Sequence, residues 1–189
     1  PATYSNSGTH YCIFDGCSNV QTIHYTYGTS GIMKPRYQNK AHAGSSYYDT
    51  LEYACRESLT TVIFDDGITE IASNAFYLPE EGISVLKNVT LPSTLTTIGS
   101  CAFQNSAIET ICLPEGLTTI NNDAFQNSDL TEIHFPESIN HIGASAFFGC
   151  AGLTELTIPD HMGEKIGYYA FANCTGLTKV TLPVDYRPD

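Results

Sequence analysis

One structural unit recurs five times along this chain, and each copy is marked by a phenylalanine that directly follows an alanine. The steps between these phenylalanines are 27, 22, 22 and 24 residues: Phe76, Phe103, Phe125, Phe147 and Phe171. An apolar residue before proline recurs in the same phase, at Leu91-Pro92, Leu113-Pro114, Phe135-Pro136, Ile158-Pro159 and Leu182-Pro183. Self-similarity at about 20–30 residues predicts the stacked coils of a solenoid, because a single coil cannot bury its own apolar face.

Each copy divides into a strand and a return segment. In the copy that begins at Leu153, the pattern Leu-x-x-Leu-x-Ile places Leu156 and Ile158 on one face, since strand side chains alternate. Pro159 ends the strand because it has no N–H for the ladder. We expect one such strand per coil, stacked in parallel, and a segment Ile-Gly-x-x-Ala-Phe that crosses to the opposite wall. The repeated phenylalanines are then predicted to stack in one buried column: Phe103, Phe125, Phe147 and Phe171.

The repeat extends in degenerate form towards the N-terminus. Residues 13–25 match residues 146–158 in residue type, and residues 53–64 supply another copy with Leu59, Val62 and Phe64 inward. The main sheet is therefore predicted to have about seven strands, near Val20, Leu59, Leu86, Ile108, Leu130, Leu153 and Leu177. We expect a single continuous domain, in which residues 1–58 form degenerate coils with an irregular insertion at 27–50 and residues 59–189 form the regular solenoid.

The complete pattern is Leu-x-x-Ile-x-Leu-Pro, then Ile-Gly-x-x-Ala-Phe, then x-x-Cys-x-x-Leu, and it resembles the BspA-type leucine-rich repeat family. The resemblance covers residues 53–183 well and 12–26 loosely. It implies a β-rich solenoid, a right-handed, leucine-rich-repeat-like stack of about seven coils with a parallel sheet on one face and little helix. The family occurs in surface proteins of bacteria and some protozoan parasites. The resemblance therefore also implies an extracellular or cell-surface adhesion module that binds host proteins.

The charge of the chain is concentrated in the regular repeats. Residues 1–58 hold four acidic and four basic residues, so residues 59–189 carry the whole net charge of −12. A body this acidic is unsuited to nucleic acid or to an anionic membrane surface, and it permits basic partners. No run of about 18 apolar residues occurs, so we expect no membrane insertion by this segment. The turn after each proline forms an acidic column that is either a solvated edge or a weak cation site: Asp66, Ser93, Glu115, Glu137 and Asp160.

Three of the seven cysteines share one repeat position, and serine replaces them in two shorter coils: Cys17, Cys150 and Cys174, with Ser106 and Ser128. A position that accepts either residue favours a small buried turn side chain, although a bridge between adjacent coils at Cys150 and Cys174 is geometrically possible. We expect Cys150 and Cys174 to be buried thiols and Cys112 to be exposed. No Cys-x-x-Cys occurs, so the spacing predicts no zinc site and no cofactor.

The outward strand positions are predicted to form two columns across the coils. The first is His24, Ile63, Thr90, Cys112, His134, Thr157 and Thr181, and the second is Thr22, Thr61, Asn88, Thr110, Glu132, Glu155 and Lys179. Cys112, His134 and Glu132 superficially resemble a Cys-His nucleophile pair. A flat sheet has neither a cleft nor oxyanion donors, so we expect no catalytic residue and no metal site here. Glu132, His134 and Glu155 are instead candidate contacts for a protein partner.

The insertion at 27–50 breaks the repeat and concentrates basic and aromatic residues. It holds three of the eight basic residues and four tyrosines. Tyrosine and arginine are enriched in binding hot spots, and long irregular segments in compact domains are often functional. The candidate binding residues in this insertion are Lys34, Arg36, Tyr37, Tyr47 and Tyr48. The alternative is that the insertion is a degenerate coil with an unrecognised consensus.

These observations favour a non-enzymatic protein-binding or adhesion module of a cell-surface or secreted protein, and we expect it to be a fragment of a larger chain. The alternative is a spacer or targeting segment within a larger secreted enzyme. Both hypotheses assign these residues to the same solenoid. They differ in whether the exposed surfaces of these coils bind a partner.

Overall fold

The computed structural model describes residues 18–26, 32–33, 55, 57–77, 85–163 and 165–183. Every regular element within these ranges is a short β-strand. The strands are β1 (Thr22–Tyr25), β2 (Ile32–Met33), β3 (Thr61–Phe64), β4 (Glu70–Ile71), β5 (Asn88–Thr90), β6 (Thr97–Ile98), β7 (Thr119–Ile120), β8 (His141–Ile142), β9 (Glu155–Thr157) and β10 (Lys179–Thr181). No helix in the described part of the chain is long and apolar enough to cross a membrane.

All strand pairing is parallel and joins successive coils. One wall carries a three-stranded sheet in the order β1-β3-β5 and a two-stranded sheet of β9 and β10. The opposite wall carries a five-stranded sheet in the order β2-β4-β6-β7-β8, which a bridge from Ile142 extends to Ile166. This arrangement confirms the β-rich repeat solenoid predicted from the sequence.

The predicted main sheet is wrong in one respect, because it is not continuous. Five of its strands form where the repeat places them, but residues 110–113 and 132–135 are not in strands. Each of these two segments follows a short link between the phenylalanine of a coil and the next inward residue. The link, for example from Phe103 to Ile108, is one residue shorter than in the later coils. Thr131 still donates its N–H to the carbonyl of Glu109 at 2.9 Å. The shorter link changes the relative placement of the backbones enough to lose the ladder while the coils stay stacked.

The phenylalanines form a continuous stack through the centre of the coils, as predicted. Successive ring centroids from Phe76 to Phe171 lie 5.5, 5.3, 5.3 and 5.2 Å apart with near-parallel planes. Phe103, Phe125 and Phe147 are fully buried, whereas Phe171 in the last coil is only partly buried. Burying such a ring contributes roughly 2–3 kcal/mol, so the stack is a major part of the core.

A row of backbone hydrogen bonds runs beside this stack. In the coils of Phe103, Phe125 and Phe147, the N–H groups two residues before, at, and two residues after the phenylalanine donate to carbonyls of the next coil. For Phe147 the three donors are Ser145, Phe147 itself and Gly149, at 2.9, 2.8 and 2.9 Å from their acceptors. The flanking positions have φ between 55° and 73°: Asn74, Cys101, Asn105, Asp123, Asn127, Ser145, Gly149, Tyr169 and Asn173. In the coils of Phe103, Phe125 and Phe147, a left-handed residue lies two positions before the phenylalanine and another two positions after it, and their N–H groups donate to the next coil together with that of the phenylalanine.

The inward positions of the strands are buried as the sequence predicts. Leu59, Val62 and Phe64 lie in the core, and so do Leu156 and Ile158. These side chains belong to the same hydrophobic cluster as the phenylalanine stack. The outward positions are consequently held on a surface whose geometry the core determines.

Candidate binding surface

The two outward columns are in register wherever the strands pair. Thr22, Thr61 and Asn88 are aligned across β1, β3 and β5, and Lys179 is aligned with Glu155 across β10 and β9. The second column is aligned in the same way, with His24 beside Ile63 and Ile63 beside Thr90. The structure therefore confirms the predicted columns at both ends of this wall, where they present hydroxyl, amide and charged groups at the regular spacing of parallel strands.

The middle of this wall holds Cys112, Glu132 and His134, and all three side chains are exposed. They lie in the two segments that do not form strands, so no ladder fixes their relative positions. Among the described residues, no group of three or more His, Cys, Asp or Glu side chains could hold a metal ion. In this part of the described chain the three side chains are separate exposed groups rather than a preassembled constellation.

Among the described residues, a Lys–Glu ion pair and a His–Asp contact join neighbouring coils at the surface. Lys179 Nζ lies 2.8 Å from Glu155 Oε2, and about two thirds of each side chain is exposed. His24 Nε2 lies 2.6 Å from Asp65 Oδ1, where Asp65 takes the place that proline has in the other coils. Exposed pairs of this kind stabilise a fold by about 0–1 kcal/mol, so these charges remain available to a partner.

The candidate residues in the insertion lie outside the described residues: Lys34, Arg36, Tyr37, Tyr47 and Tyr48. Within the same insertion, Ile32–Met33 forms β2 and pairs in parallel with Glu70–Ile71. At these two positions the backbone therefore follows the wall strand of the repeat. A role for the insertion in binding stays a prediction.

The acidic column after the prolines is hydrogen-bonded to the next coil at its N-terminal end. Asp66 Oδ1 accepts hydrogen bonds from the backbone N–H of Ser93 at 2.7 Å and from its hydroxyl at 2.9 Å. Glu115, Glu137 and Asp160 are exposed. This column forms an edge of the solenoid. Substitutions in it can serve as a matched control for substitutions on the strand wall.

The cysteines have the burial predicted from the repeat, since Cys150 and Cys174 are buried free thiols and Cys112 is exposed. Cys174 Sγ donates to the carbonyl of Phe147, and Cys150 Sγ donates to that of Phe125, each at 3.2 Å. Burial raises the pKa of the Cys174 thiol to about 11, and the charge of Cys150 adds to this. Burial also raises the pKa of Cys150. These two buried thiols are structural and unreactive, because their raised pKa disfavours the thiolate, which is the nucleophilic form of cysteine.

Sequence reasoning missed an exposed aromatic pair in the last described coil. Tyr168 and Tyr169 are 79% and 73% exposed, and Tyr169 has a φ of 59°. The sequence holds one signal for this pair, which is its position in the repeat. The equivalent positions two coils earlier hold Asn122 and Asp123. Two aromatic side chains where the repeat otherwise has small or polar residues indicate a surface that differs from the other coils.

Comparison with known proteins identifies the repeat. A family model described as the BspA type leucine rich repeat region (6 copies) matches residues 49–178 and, in a second match, residues 153–187. A leucine-rich repeat protein from Bacteroides ovatus is 26% identical with a TM-score of 0.64, and the match covers 92% of this chain and 40% of that one. A leucine-rich repeat protein from Eubacterium ventriosum is 23% identical with a TM-score of 0.59, covering 71% of this chain and 34% of that one. No curated protein matches significantly.

Both structures are much longer than this chain, which spans less than half the length of either. The Eubacterium likeness, at 23% identity, bears on the fold alone. Together with the family model, these matches confirm the repeat type that the spacing of alanine, phenylalanine and proline predicts.

Proposed function

The chain belongs to the BspA-type leucine-rich repeat family, and on that premise we propose that it is a non-enzymatic protein-binding module of a cell-surface or secreted protein. The observation that carries the proposal is the strand wall with its two outward columns in register over β1, β3 and β5 and over β9 and β10. A rigid core holds these side chains at fixed spacing, so a partner can bind them without ordering them first.

The partner that suits this wall is a protein with polar or basic groups. Threonine hydroxyls dominate the columns, and Glu132 and Glu155 add exposed negative charge. Because the repeat body is acidic, association with a basic surface would be accelerated by the long-range field. An extracellular protein is the class of partner that the family implies.

The insertion at 27–50 is the second candidate contact. It has the opposite character, since its basic and aromatic residues suit an acidic or carbonyl-rich surface. The two candidate contacts therefore predict partners of different charge, and substitutions can separate them.

The test is capture of extracellular proteins on the immobilised chain, with identification by mass spectrometry. The wall variant carries Glu132→Ala, His134→Ala and Glu155→Ala, and the insertion variant carries Arg36→Ala, Tyr37→Ala, Tyr47→Ala and Tyr48→Ala. The control carries Glu115→Ala and Glu137→Ala on the post-proline edge, so that it also removes acidic charge. The wall variant and the control should melt within a few °C of the unmodified chain, because the substituted residues are exposed, and the melting temperature of the insertion variant is measured beside them.

We expect one partner to be lost from the wall variant or from the insertion variant and retained by the control. If the control loses the captured partner as completely as the wall variant does, the loss is explained by net charge, and a specific contact is contradicted. If the unmodified chain captures nothing that depends on either surface, the spacer alternative is favoured and the proposal is wrong.

A further inference from the structure

The residues on either side of each stacked phenylalanine form a surface that belongs to neither strand wall. The N–H after the phenylalanine donates to the carbonyl two residues before it, as from Gln126 to Asp123 at 3.1 Å and from Phe148 to Ser145 at 3.0 Å. A tight turn of this kind holds its first and last residues within about 7 Å of each other. We call the positions three and two residues before the phenylalanine, and one and two residues after it, the turn face. None of its described residues is buried.

The turn face differs in chemistry from the rest of the repeat body. Seven of its nineteen described positions hold asparagine or glutamine, and four hold tyrosine or phenylalanine. Asp123 is the one acidic residue among these described positions, and none of them is basic. Residues 59–189 carry sixteen acidic residues in all, so this face is close to neutral on an acidic body. Charge complementarity therefore favours an uncharged polar ligand over one that carries phosphate, sulfate or carboxylate groups.

The carboxamides of the turn face are held in place by contacts between neighbouring coils. Asn127 Nδ2 donates to Asn105 Oδ1 at 3.2 Å, and Gln104 Nε2 donates to Gln126 Oε1. A Cβ atom on Gly149 would lie 2.3 Å from Asn127 Oδ1, so the lack of a side chain there makes room for this carboxamide. A carboxamide has two N–H groups and an oxygen with two lone pairs, so hydrogen-bonding capacity remains after these contacts. A ligand would meet amides that are already oriented, which lowers the entropy cost of binding.

Aromatic rings flank the glutamines in the same column of the turn face. The position after the stacked phenylalanine holds, in four successive coils, Tyr77, Gln104, Gln126 and Phe148. All four side chains are partly exposed. The next coil adds the exposed Tyr168. Its equivalent Asn122 is exposed too, although described coils lie on both sides of it, so this position faces outward within the stack as well as in the last described coil.

Aromatic rings that are separated by carboxamides suit the surface of a sugar polymer. A pyranose ring has a face of C–H groups, which packs on an aromatic ring, and a rim of hydroxyls, which both donate to and accept from a carboxamide. A linear polysaccharide repeats these groups, as the coils repeat their side chains about every 4.8 Å. A protein interface has an apolar centre instead, whereas Gln104 and Gln126 separate the rings here. We propose that the turn face binds a neutral polysaccharide chain that lies across successive coils.

The experiment is native electrophoresis of the chain through gels that contain a soluble polysaccharide. The neutral probes are hydroxyethylcellulose, mannan and galactomannan, and the anionic probe is polygalacturonate. The net charge of −12 drives migration, and a gel without polysaccharide gives the reference mobility. We expect at least one neutral polymer to retard the chain and polygalacturonate to leave its mobility unchanged.

The turn-face variant carries Tyr168→Ser and Tyr169→Asn, which are the residues that the repeat itself has at Ser73 and Asn74. Removing the two rings should weaken binding of the retarding polymer about tenfold. Asparagine also tolerates the left-handed conformation of Tyr169, whose φ is 59°. A melting temperature within a few °C of the unmodified chain verifies that this variant is folded.

The control carries Glu132→Ala and Glu155→Ala on the strand wall and should be retarded as much as the unmodified chain. The proposal is overturned if no neutral polymer retards the chain, if the turn-face variant is retarded equally, or if the control loses retardation. Capture of an extracellular protein that needs Tyr168 and Tyr169, without retardation by any polymer, would make a protein the occupant of this face and would also overturn it. The proposed function is tested on the wall and the insertion, so either idea can fail while the other stands.

Discussion

Each buried phenylalanine fills the centre of one coil and also contacts the coils on both sides. The ring of Phe125 lies 5.3 Å from the rings of both Phe103 and Phe147. Its removal would therefore leave a cavity bounded by two other coils. Since those neighbours are held by their own hydrogen bonds and stacking, the site cannot collapse easily.

We predict that Phe125→Ala lowers the free energy of unfolding by about 3–5 kcal/mol. The control is Phe171→Ala in the last coil, where the ring is partly exposed and has one stacked neighbour, so its cost should be smaller. Urea unfolding followed by circular dichroism measures both. Equal costs at the two positions would show that the stack is not the continuous core described above.

The buried thiol of Cys174 makes stability depend on pH in the alkaline range. Burial and the nearby Cys150 raise its pKa from 9.0 to about 11 in the folded state. The folded state therefore retains the proton when the unfolded state has lost it. The contribution of this group is fully present below pH 9 and is lost as the pH rises through about 11.

We predict that the unmodified chain loses on the order of 1–2 kcal/mol more stability than Cys174→Ser between pH 8 and pH 11. Serine is a suitable control because the equivalent position holds Ser128 in another coil, and serine does not titrate in this range. Urea unfolding of both proteins at a series of pH values measures the difference between their free energies of unfolding. The titration of tyrosine and lysine contributes to both proteins and cancels from this difference. Parallel curves for the two proteins would refute the assignment.

At the scale of elements, the crossing between the two walls depends on close approach of backbones. A Cβ atom on Gly99 would lie 2.4 Å from the backbone N of Ser73 and 2.5 Å from the backbone C of Ala72. Backbone atoms of a stacked coil cannot rotate away as a side chain can. The absence of a side chain at Gly99 therefore sets how closely β6 approaches β4.

We predict that Gly99→Ala lowers stability by about 1–3 kcal/mol, because the two coils must separate locally. Gly163→Ala is the matched control, since a Cβ there would meet nothing within 4 Å. That change should stay within about 0.5 kcal/mol of the unmodified chain. Thermal or urea unfolding measures the stability of the two variants. Similar losses of stability in both would show that glycine acts here through backbone flexibility instead.

For the molecule as a whole, electrostatic repulsion opposes the compact state. Residues 59–189 hold sixteen acidic and four basic residues, and most of the charged side chains that the structure describes in this range are exposed. The surface pairs at Glu155–Lys179 and His24–Asp65 offset little of this repulsion. Mobile ions screen exposed charges beyond about 10 Å at 0.1 M salt, so salt should relieve the repulsion.

We predict that the melting temperature rises by on the order of a few °C between 10 and 500 mM NaCl. The variant with Glu115→Gln and Glu137→Gln should melt higher than the unmodified chain at low salt and gain less from added salt. A melting temperature that falls with salt would mean that attractive pairs dominate over repulsion, contrary to this account.

The sequence by itself determined the type of fold, the stacked phenylalanines and the inward positions such as Val62 and Leu156. The physical reason is that each coil packs on a near copy of itself, so a local pattern repeated in phase also specifies its own neighbour. The exposure of Cys112 and the burial of Cys150 followed from the same phase. The outward columns were predictable for this reason too wherever the strands pair, as at Thr61 beside Asn88 and Glu155 beside Lys179.

Only the tertiary structure decided how the coils bond to one another. A one-residue difference in the links after Phe103 and Phe125 interrupts the wall that was expected to be continuous, and hydrogen-bond geometry is sensitive to shifts of that size. The left-handed residues before each alanine share no chemistry, since they include Asp123, Ser145 and Tyr169. These residues flank the phenylalanines whose N–H groups donate to the next coil, so their conformation belongs to the hydrogen bonding between coils, which no local pattern can show.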